Sequence, residues 1–324
     1  MAAGGRKSHK LVSYAKYGYM FILPFFLIYG FFMVWPLINT MILSLKGNYS
    51  NPDAFVGFEN YKWILFGNKE AGEFSFGQMS HEAFFTTFGN TLILWVGNFI
   101  GQIVLSLLLA VWFSDVRIKI KGTGFFKVIM YMPNIIMAAS VAVMFLMIFD
   151  NTKYGVINSM ALNAGWIQEE ILFLDQKWTV RVIVMFIQSW LWFGNTMLLL
   201  LSGIFGIDPS IYEAASIDGS SGANTFFRIT MPILKPIFLY VVITSLIGGL
   251  QMFDIPYLLK KGTVVNSYLR TTAVYIYQQF HSEMPNYGVS AASSMLLFIV
   301  TLILGAVIMR FNSDVSAPKK KRKK

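Results

Sequence analysis

The chain has 324 residues, of which 56% are hydrophobic and only 13% charged, with a mean hydropathy of +0.58. A soluble domain must cover its surface with polar groups, so this composition excludes one. The absence of cysteine excludes disulfides and thiolate metal sites, and the formal charge of +10 leaves polyanions and anionic membrane surfaces as partners to be weighed.

Six uncharged runs predict transmembrane helices at about 17–43, 88–113, 124–149, 180–205, 236–259 and 288–311. Each is near the roughly 20 residues needed to cross hydrocarbon. The first run is longer than the h-region of a cleavable signal and no small-residue cleavage site follows it, so it reads as a span. Residues 1–16 form a basic N-terminal segment, 17–311 the six-span domain, and 312–324 a basic tail. Placing the first terminus in the cytoplasm puts most of the 26 lysines and arginines inside, and both termini are therefore expected there. The tail sequence PKKKRKK resembles a nuclear import signal in isolation. Next to a span it is read as a contact for anionic lipid headgroups, and no nucleic acid is required.

Pro24, Pro36, Pro133 and Pro256 lie in or beside the spans. Each removes a backbone donor, so the carbonyl it frees needs another partner, and the kink makes either a packed irregularity or the wall of a cavity. Gly97 and Gly101 form G-x-x-x-G, which permits close helix contact.

The inner loop 206–235 differs from every other connection. Ser210 and Glu213 have capping-box spacing, predicting a short helix from Ile211 to about Ile217 that ends near Gly219, where left-handed backbone is cheap. Two turns of helix barely persist alone in water, so stability has to come from packing on this chain or on a partner. An interfacial linker under the lipid heads is the simpler alternative.

Polar side chains at membrane depth should face the bundle interior or a wet cavity. Those on the spans are Asn98, Gln102, Asn134, Gln188, Asn195, Gln251 and Asp254. Gln188, Trp190, Trp192 and Asn195 place aromatic faces beside amides, a combination that suits the C–H faces and hydroxyls of sugars. Asp254 is costly if unpaired, and a structural or gating role is expected for it.

Residues 213–236, EAASIDGSSGANTFFRITMPILKP, closely resemble the EAA loop of bacterial ABC importer permeases, with Met231 in place of the usual leucine. Gly57-Phe58-Glu59-Asn60-Tyr61, Met132-Pro133 and Phe253-Asp254 resemble landmarks of the MalF-like sugar permease branch. The resemblance implies an all-α, six-span type I importer fold in the bacterial inner membrane. It implies a second homologous permease subunit, two cytoplasmic ABC ATPases that bind ATP and Mg2+, and an extracytoplasmic solute-binding protein as partners. No cofactor is expected on this chain, which has no phosphate-binding P-loop motif and is not expected to be an enzyme.

Carried over by resemblance, Glu213, Ala214, Ala215, Asp218 and Gly219 would couple to the ATPase. Asn134, Ala138, Gln188, Leu191, Trp192, Gly248 and Gln251 would contact sugar, with Trp190, Asn195 and Asp254 as cavity or gating candidates. The branch often has a T-G-G-G-P run after the fifth span, where this chain has Lys260-Lys261-Gly262-Thr263. That lysine pair would attract an acidic sugar or a carboxylate-bearing binding protein if it faces the cavity mouth, and would do neither if it faces lipid, so neutral and uronate-containing oligosaccharides both stay open. A permease for glycerol phosphate or another anion should recruit Arg or Lys into the spans. An intramembrane enzyme should gather an acid–base or metal cluster, whereas His9, His81 and His281 are scattered outside them.

Overall fold

In the computed structural model the described residues are 15–47, 51–68, 72, 75–114, 121–259 and 265–316, with side chains from Lys16 to Arg310. The N-terminal segment to residue 14, Arg117 and Lys119, the Lys260-Lys261 pair and the tail from residue 317 lie outside them. The architecture is all α. Five helical runs are long and apolar enough to cross a membrane, and a sixth span is a helix pair bent by 92°.

The first span is α1 (Ala15–Tyr29) and α2 (Trp35–Ser44), joined by a π-helical turn at 30–34. This turn immediately precedes Pro36. A proline ring presses on the carbonyl four residues back, and a wider turn relieves it. After α3 (Glu59–Phe66), on the loop expected to face outward, comes α4 (Phe76–Ser114), whose 39 residues extend well beyond hydrocarbon.

The third span, expected as one helix, is broken: α5 (Thr123–Tyr131) passes through a 3-10 turn at 132–135 into extended backbone at Ile136 and Met137, and then α6 (Ala138–Ile148) begins. Pro133 lacks the N–H that would continue the ladder. The amide of Met132 closes α5 on Ile129, and the Asn134 amide donates to Leu191 O at 3.2 Å, tying the bend to a neighbouring helix.

Next come α7 (Val156–Asn163) on the second outer loop and α8 (Lys177–Phe205), the most buried span. Gly97 and Gly101 settle against α8 within the chain: a Cβ on Gly101 would meet Ser189 Oγ at 2.8 Å, and one on Gly97 would strike Met185. Ser189 Oγ donates to Asn98 O at 2.7 Å and Ser106 Oγ to Phe193 O at 2.8 Å, so small residues and hydroxyls join α4 to α8 at close range.

The inner loop holds α9 (Pro209–Ile217) and α10 (Gly222–Thr225). A second π turn at 226–230, again just before a proline, Pro232, leads into α11 (Met231–Leu250). The fifth span, expected to run unbroken to 259, breaks after Leu250 and resumes as α12 (Asp254–Leu258). Pro256 accounts for the break. It cannot donate to Met252 O, which accepts from Thr271 Oγ1 at 2.7 Å instead. The third outer loop carries α13 (Thr272–Phe280), and α14 (Tyr287–Ser316) closes the bundle against α2 and α11. The largest buried cluster joins α6, α8 and α12 through residues such as Val141, Val184, Ile187 and Ile255.

Candidate functional site

A cavity of about 590 Å³ opens between α4, the 132–138 bend, α8, α11 and the α11–α12 break. From α8 it takes Gln188, Leu191, Trp192, Asn195 and Thr196. These positions are three or four residues apart, so they share one helix face. Gln188 is 9% exposed and Trp192 49%, so the amide sits deep while the indole stands at the wall.

From α11 the cavity takes Tyr240, Thr244 and Gly248, a stripe that continues to Gln251 at the break, with Ser245 beside it. Asn134, Ile136 and Ala138 line it from the bend, Asn98 and Gln102 from α4, and Phe253, Asp254 and Ile255 from the break. The two prolines thus act alike: each breaks a span where its irregular backbone lines a cavity rather than meeting lipid.

The lining amides divide in two. Asn98 donates to Leu94 O at 3.0 Å within α4, whereas Gln102 Nε2 donates to Thr196 Oγ1 at 2.7 Å and Asn134 to Leu191 O, so these last two help hold the helices together. Among the described residues the side chains of Gln188, Asn195 and Gln251 make no hydrogen bond, which leaves their donors and acceptors for the cavity's contents. Among the described residues Asp254 is the one charged lining side chain.

The structure thus brings together Asn134, Ala138, Gln188, Leu191, Trp192, Gly248, Gln251, Asn195 and Asp254. Trp190 is the exception: its ring packs edge-on to Phe145, at 5.9 Å between centroids, in the apolar core. It lies two residues from both Gln188 and Trp192, about 200° around the helix, so it cannot share their face. Thr196, Tyr240, Thr244 and Ser245 were missed in the sequence. The helical stripes they share with Gln188 and Gly248 were the available signal.

The inner loop forms a second region. Asp208, rather than Ser210, caps α9: its carboxylate accepts from the Ser210 amide at 2.9 Å. Pro209 explains the earlier start, since its fixed φ suits the first helical position and its missing N–H is not needed there. Hydrogen bonds from the Ser210 backbone first, and then its side chain, hold the Asp208 carboxyl below its usual range.

At the other end Gly219 takes φ +71°, with Ser220 N bonded to Ala215 O at 2.9 Å and Gly219 N to Ser216 O at 3.1 Å. This is a Schellman closure. Ala215 is buried and Tyr212 Oη lies 3.2 Å from Thr230 Oγ1, so one face of α9 packs on the segment after it. Glu213, Ala214 and Asp218 face outward with Ile217, which is 87% exposed. A small, rigid helix therefore presents a bare isoleucine, two acids and an alanine to its surroundings. Among the described residues no cluster of three or more His, Asp and Glu side chains could hold a metal.

Residues 102–322 match the family described as binding-protein-dependent transport system inner membrane component. The chain is 28% identical over 298 residues to the arabinooligosaccharides transport system permease protein AraP of Bacillus subtilis, covering 91% of this chain and 88% of that one. It is 29% identical over 306 residues to the lactose transport system permease protein LacF of Rhizobium radiobacter, covering 94% and 96%. The solved structure of a bacterial ABC transporter involved in the import of the acidic polysaccharide alginate superposes with a TM-score of 0.76 at 22% identity, covering 93% of this chain and 96% of that one. The bundle has the type I ABC-importer permease fold. The chain therefore belongs to the binding-protein-dependent transport system inner membrane components, as a multi-pass permease subunit of an ABC importer rather than a catalytic domain.

Proposed function

We propose that this subunit carries a sugar, an oligosaccharide either neutral or uronate-containing, across the bacterial inner membrane, in the manner of the MalF-like branch. The observation that carries the reading is the cavity: among the described residues, unpaired amides at Gln188, Asn195 and Gln251, hydroxyls at Tyr240 and Thr244, and the exposed Trp192 ring. Amides and hydroxyls suit sugar hydroxyls, and an indole face suits the C–H surface of a pyranose. The permeases named for arabinooligosaccharides and lactose support the same cargo class.

A phosphate cargo would call for convergent Arg or Lys, and none lines the cavity among the described residues; the Lys260-Lys261 pair that follows α12 lies outside them, so the uronate reading stands beside the neutral one. The alginate importer shares the fold at an identity that transfers no cargo.

In this reading α9 docks on a cytoplasmic ATPase through Glu213, Ala214, Ile217 and Asp218, with Ala215 and Gly219 holding its shape. ATP is bound and hydrolysed with Mg2+ on a pair of such subunits. A second homologous permease completes the pathway, a solute-binding protein delivers cargo from outside, and both termini lie in the cytoplasm. Closure of the ATPases would move α9 and, through the π turn at 226–230, α11, which carries one wall of the cavity. Coupling of this kind requires that the partner contact the two states differently.

The test is the Gln188→Ala, Trp192→Ala double variant in the purified, assembled transporter. Stimulation of ATP hydrolysis by sugar-loaded binding protein should fall at least about tenfold, the equivalent of roughly 1.4 kcal/mol. Full stimulation in the double variant would refute the cargo site.

A further inference from the structure

At the end of α8 opposite Phe205, a cation is buried with no counter-ion among the described residues. Arg181 is 4% exposed, and among the described residues it finds only neutral partners. Nη2 donates to Asn90 Oδ1 at 2.5 Å and Nε to the Tyr268 carbonyl at 3.3 Å, while the rings of Trp178 and Tyr268 lie 5.2 and 5.9 Å from the guanidinium. Asn90 then donates to the carbonyls of Ser267 and Arg270 at 2.9 and 3.1 Å. One arginine and one asparagine thus join α4, α8 and the 265–271 loop. Burying an unpaired cation is unfavourable. What the guanidinium provides in return is a rigid fork that reaches acceptors on two elements at once, which neither glutamine nor lysine can match.

The same loop leads back to the cavity. Thr271 and Thr272 are fully buried; Thr272 N donates to Thr91 Oγ1 at 2.9 Å, and Thr271 Oγ1 donates to the carbonyl of Met252 that Pro256 leaves free. Met252 lies between Gln251 and Phe253 at the α11–α12 break, and all three line the cavity. Hydrogen bonds from Arg181 through Asn90 to the Arg270 carbonyl, and from the next residue, Thr271, to Met252 O, therefore connect Arg181 by way of the chain to the irregular backbone that presents Gln251 and Asp254.

We propose that Arg181, Asn90 and Thr271 are positioning residues: a buried polar latch that holds the break in the fifth span against the α4–α8 pair and so sets where Gln251 and Asp254 stand in the cavity. The functional part of this inference rests on the cavity being the cargo site. The latch itself is a statement about backbone order and can be tested separately.

The test is amide hydrogen exchange on the assembled transporter with Arg181→Gln. Exchange at Met252, Leu269 and Thr272 should accelerate roughly tenfold or more, while α9 amides such as Asp218 keep their wild-type rates. Arg181→Lys should recover only part of the protection, since one ammonium cannot replace the fork. With maltotriose or arabinotriose on the binding protein, the concentration for half-maximal ATPase stimulation should rise about tenfold while turnover at saturation stays within about twofold. If Arg181→Gln assembles poorly, Thr271→Val carries the same test at Met252 and Leu269; it removes the tie to the Met252 carbonyl together with the α13 cap, in which Thr271 Oγ1 accepts from Val274 N at 3.3 Å, so Thr272 and the α13 amides are left out of its readout. Unchanged exchange at Met252, Leu269 and Thr272 overturns the latch, as does acceleration that spreads equally to α9, which would mark general destabilisation. A wild type indifferent to both sugars counts against the cargo reading, and the exchange result then decides the latch alone.

Discussion

Gly194 faces the broken third span so closely that a single methyl there tests whether the bend is held by packing. A Cβ on Gly194 would stand 2.7 Å from the carbonyl carbon of Met130 and 2.9 Å from Tyr131 Cα, and closer still to the Met130 oxygen. All are backbone atoms, so no side-chain rotation relieves the clash. The oxygen sets the requirement, and the segment must retreat by more than about 1 Å to reach ordinary contact. Asn134 moves with it, and its 3.2 Å hydrogen bond to Leu191 O opens beyond useful range. Overpacking costs about 1–3 kcal/mol, and an unyielding backbone puts this site near the upper end. Replacing a mid-helix glycine by alanine returns about 1 kcal/mol, so Gly194→Ala should lose about 2 kcal/mol net. Gly248→Ala has nothing within 4 Å of its new methyl and should keep the gain. The two variants, made in parallel and compared by thermal unfolding of the purified transporter, should therefore differ by about 3 kcal/mol, with Gly194→Ala also weakening sugar stimulation of the ATPase. Equal stability and equal stimulation would refute the argument that close packing on α8 holds the bend in place.

Gly248→Leu should insert and assemble normally yet reduce transport at least about tenfold, because the open space beside Gly248 belongs to the cavity; uptake into proteoliposomes measures this. Gly219→Pro demands φ near −65° where the backbone holds +71°, so it should leave membrane insertion intact and reduce copurification with the ATPase. Undiminished assembly and transport would remove the docking claim. Asp208→Ala should fray α9, seen as lost amide protection at Ile211. Because the Asp208 carboxyl is held below its usual range, its capping contribution is complete above the ordinary value of about 3.9 and disappears as pH falls through the lower folded value. The difference between wild type and Asp208→Ala should accordingly stay constant from neutral pH down to about 4 and then shrink. A difference already fading near neutrality would contradict the assigned cap.

The spans were legible because the requirement for apolar length is local: about 20 residues of hydrocarbon must be crossed by the residues that cross it. The α9 motif was legible for a similar reason, since caps and a left-handed glycine act within one turn. Even there the cap moved from Ser210 to Asp208, two acceptors competing within three residues, with Pro209 deciding between them. Trp190 was misplaced and Tyr240 and Thr244 overlooked because residue type was weighed ahead of helical phase, and phase alone would have put the first outside the cavity face and the other two on the Gly248 stripe.

From the sequence by itself came a many-span membrane protein with one polar inner helix, along with the residues able to line a cavity. Tertiary structure decided what each proline does. Pro133 and Pro256 become breaks that line the cavity because Leu191 O and Thr271 Oγ1 stand ready to pair the groups beside them, whereas Pro24 remains inside α1. It also decided that the Gly97 and Gly101 pair faces α8, and that Arg181, which sequence alone counts as one more outer charge, is buried against Asn90. The reason is physical: helix formation and burial in hydrocarbon depend on neighbours in the chain, whereas the partner of the Met252 carbonyl lies 19 residues away, that of the Asn134 amide 57 and that of the buried Arg181 cation 91, and each is known only once the helices have packed.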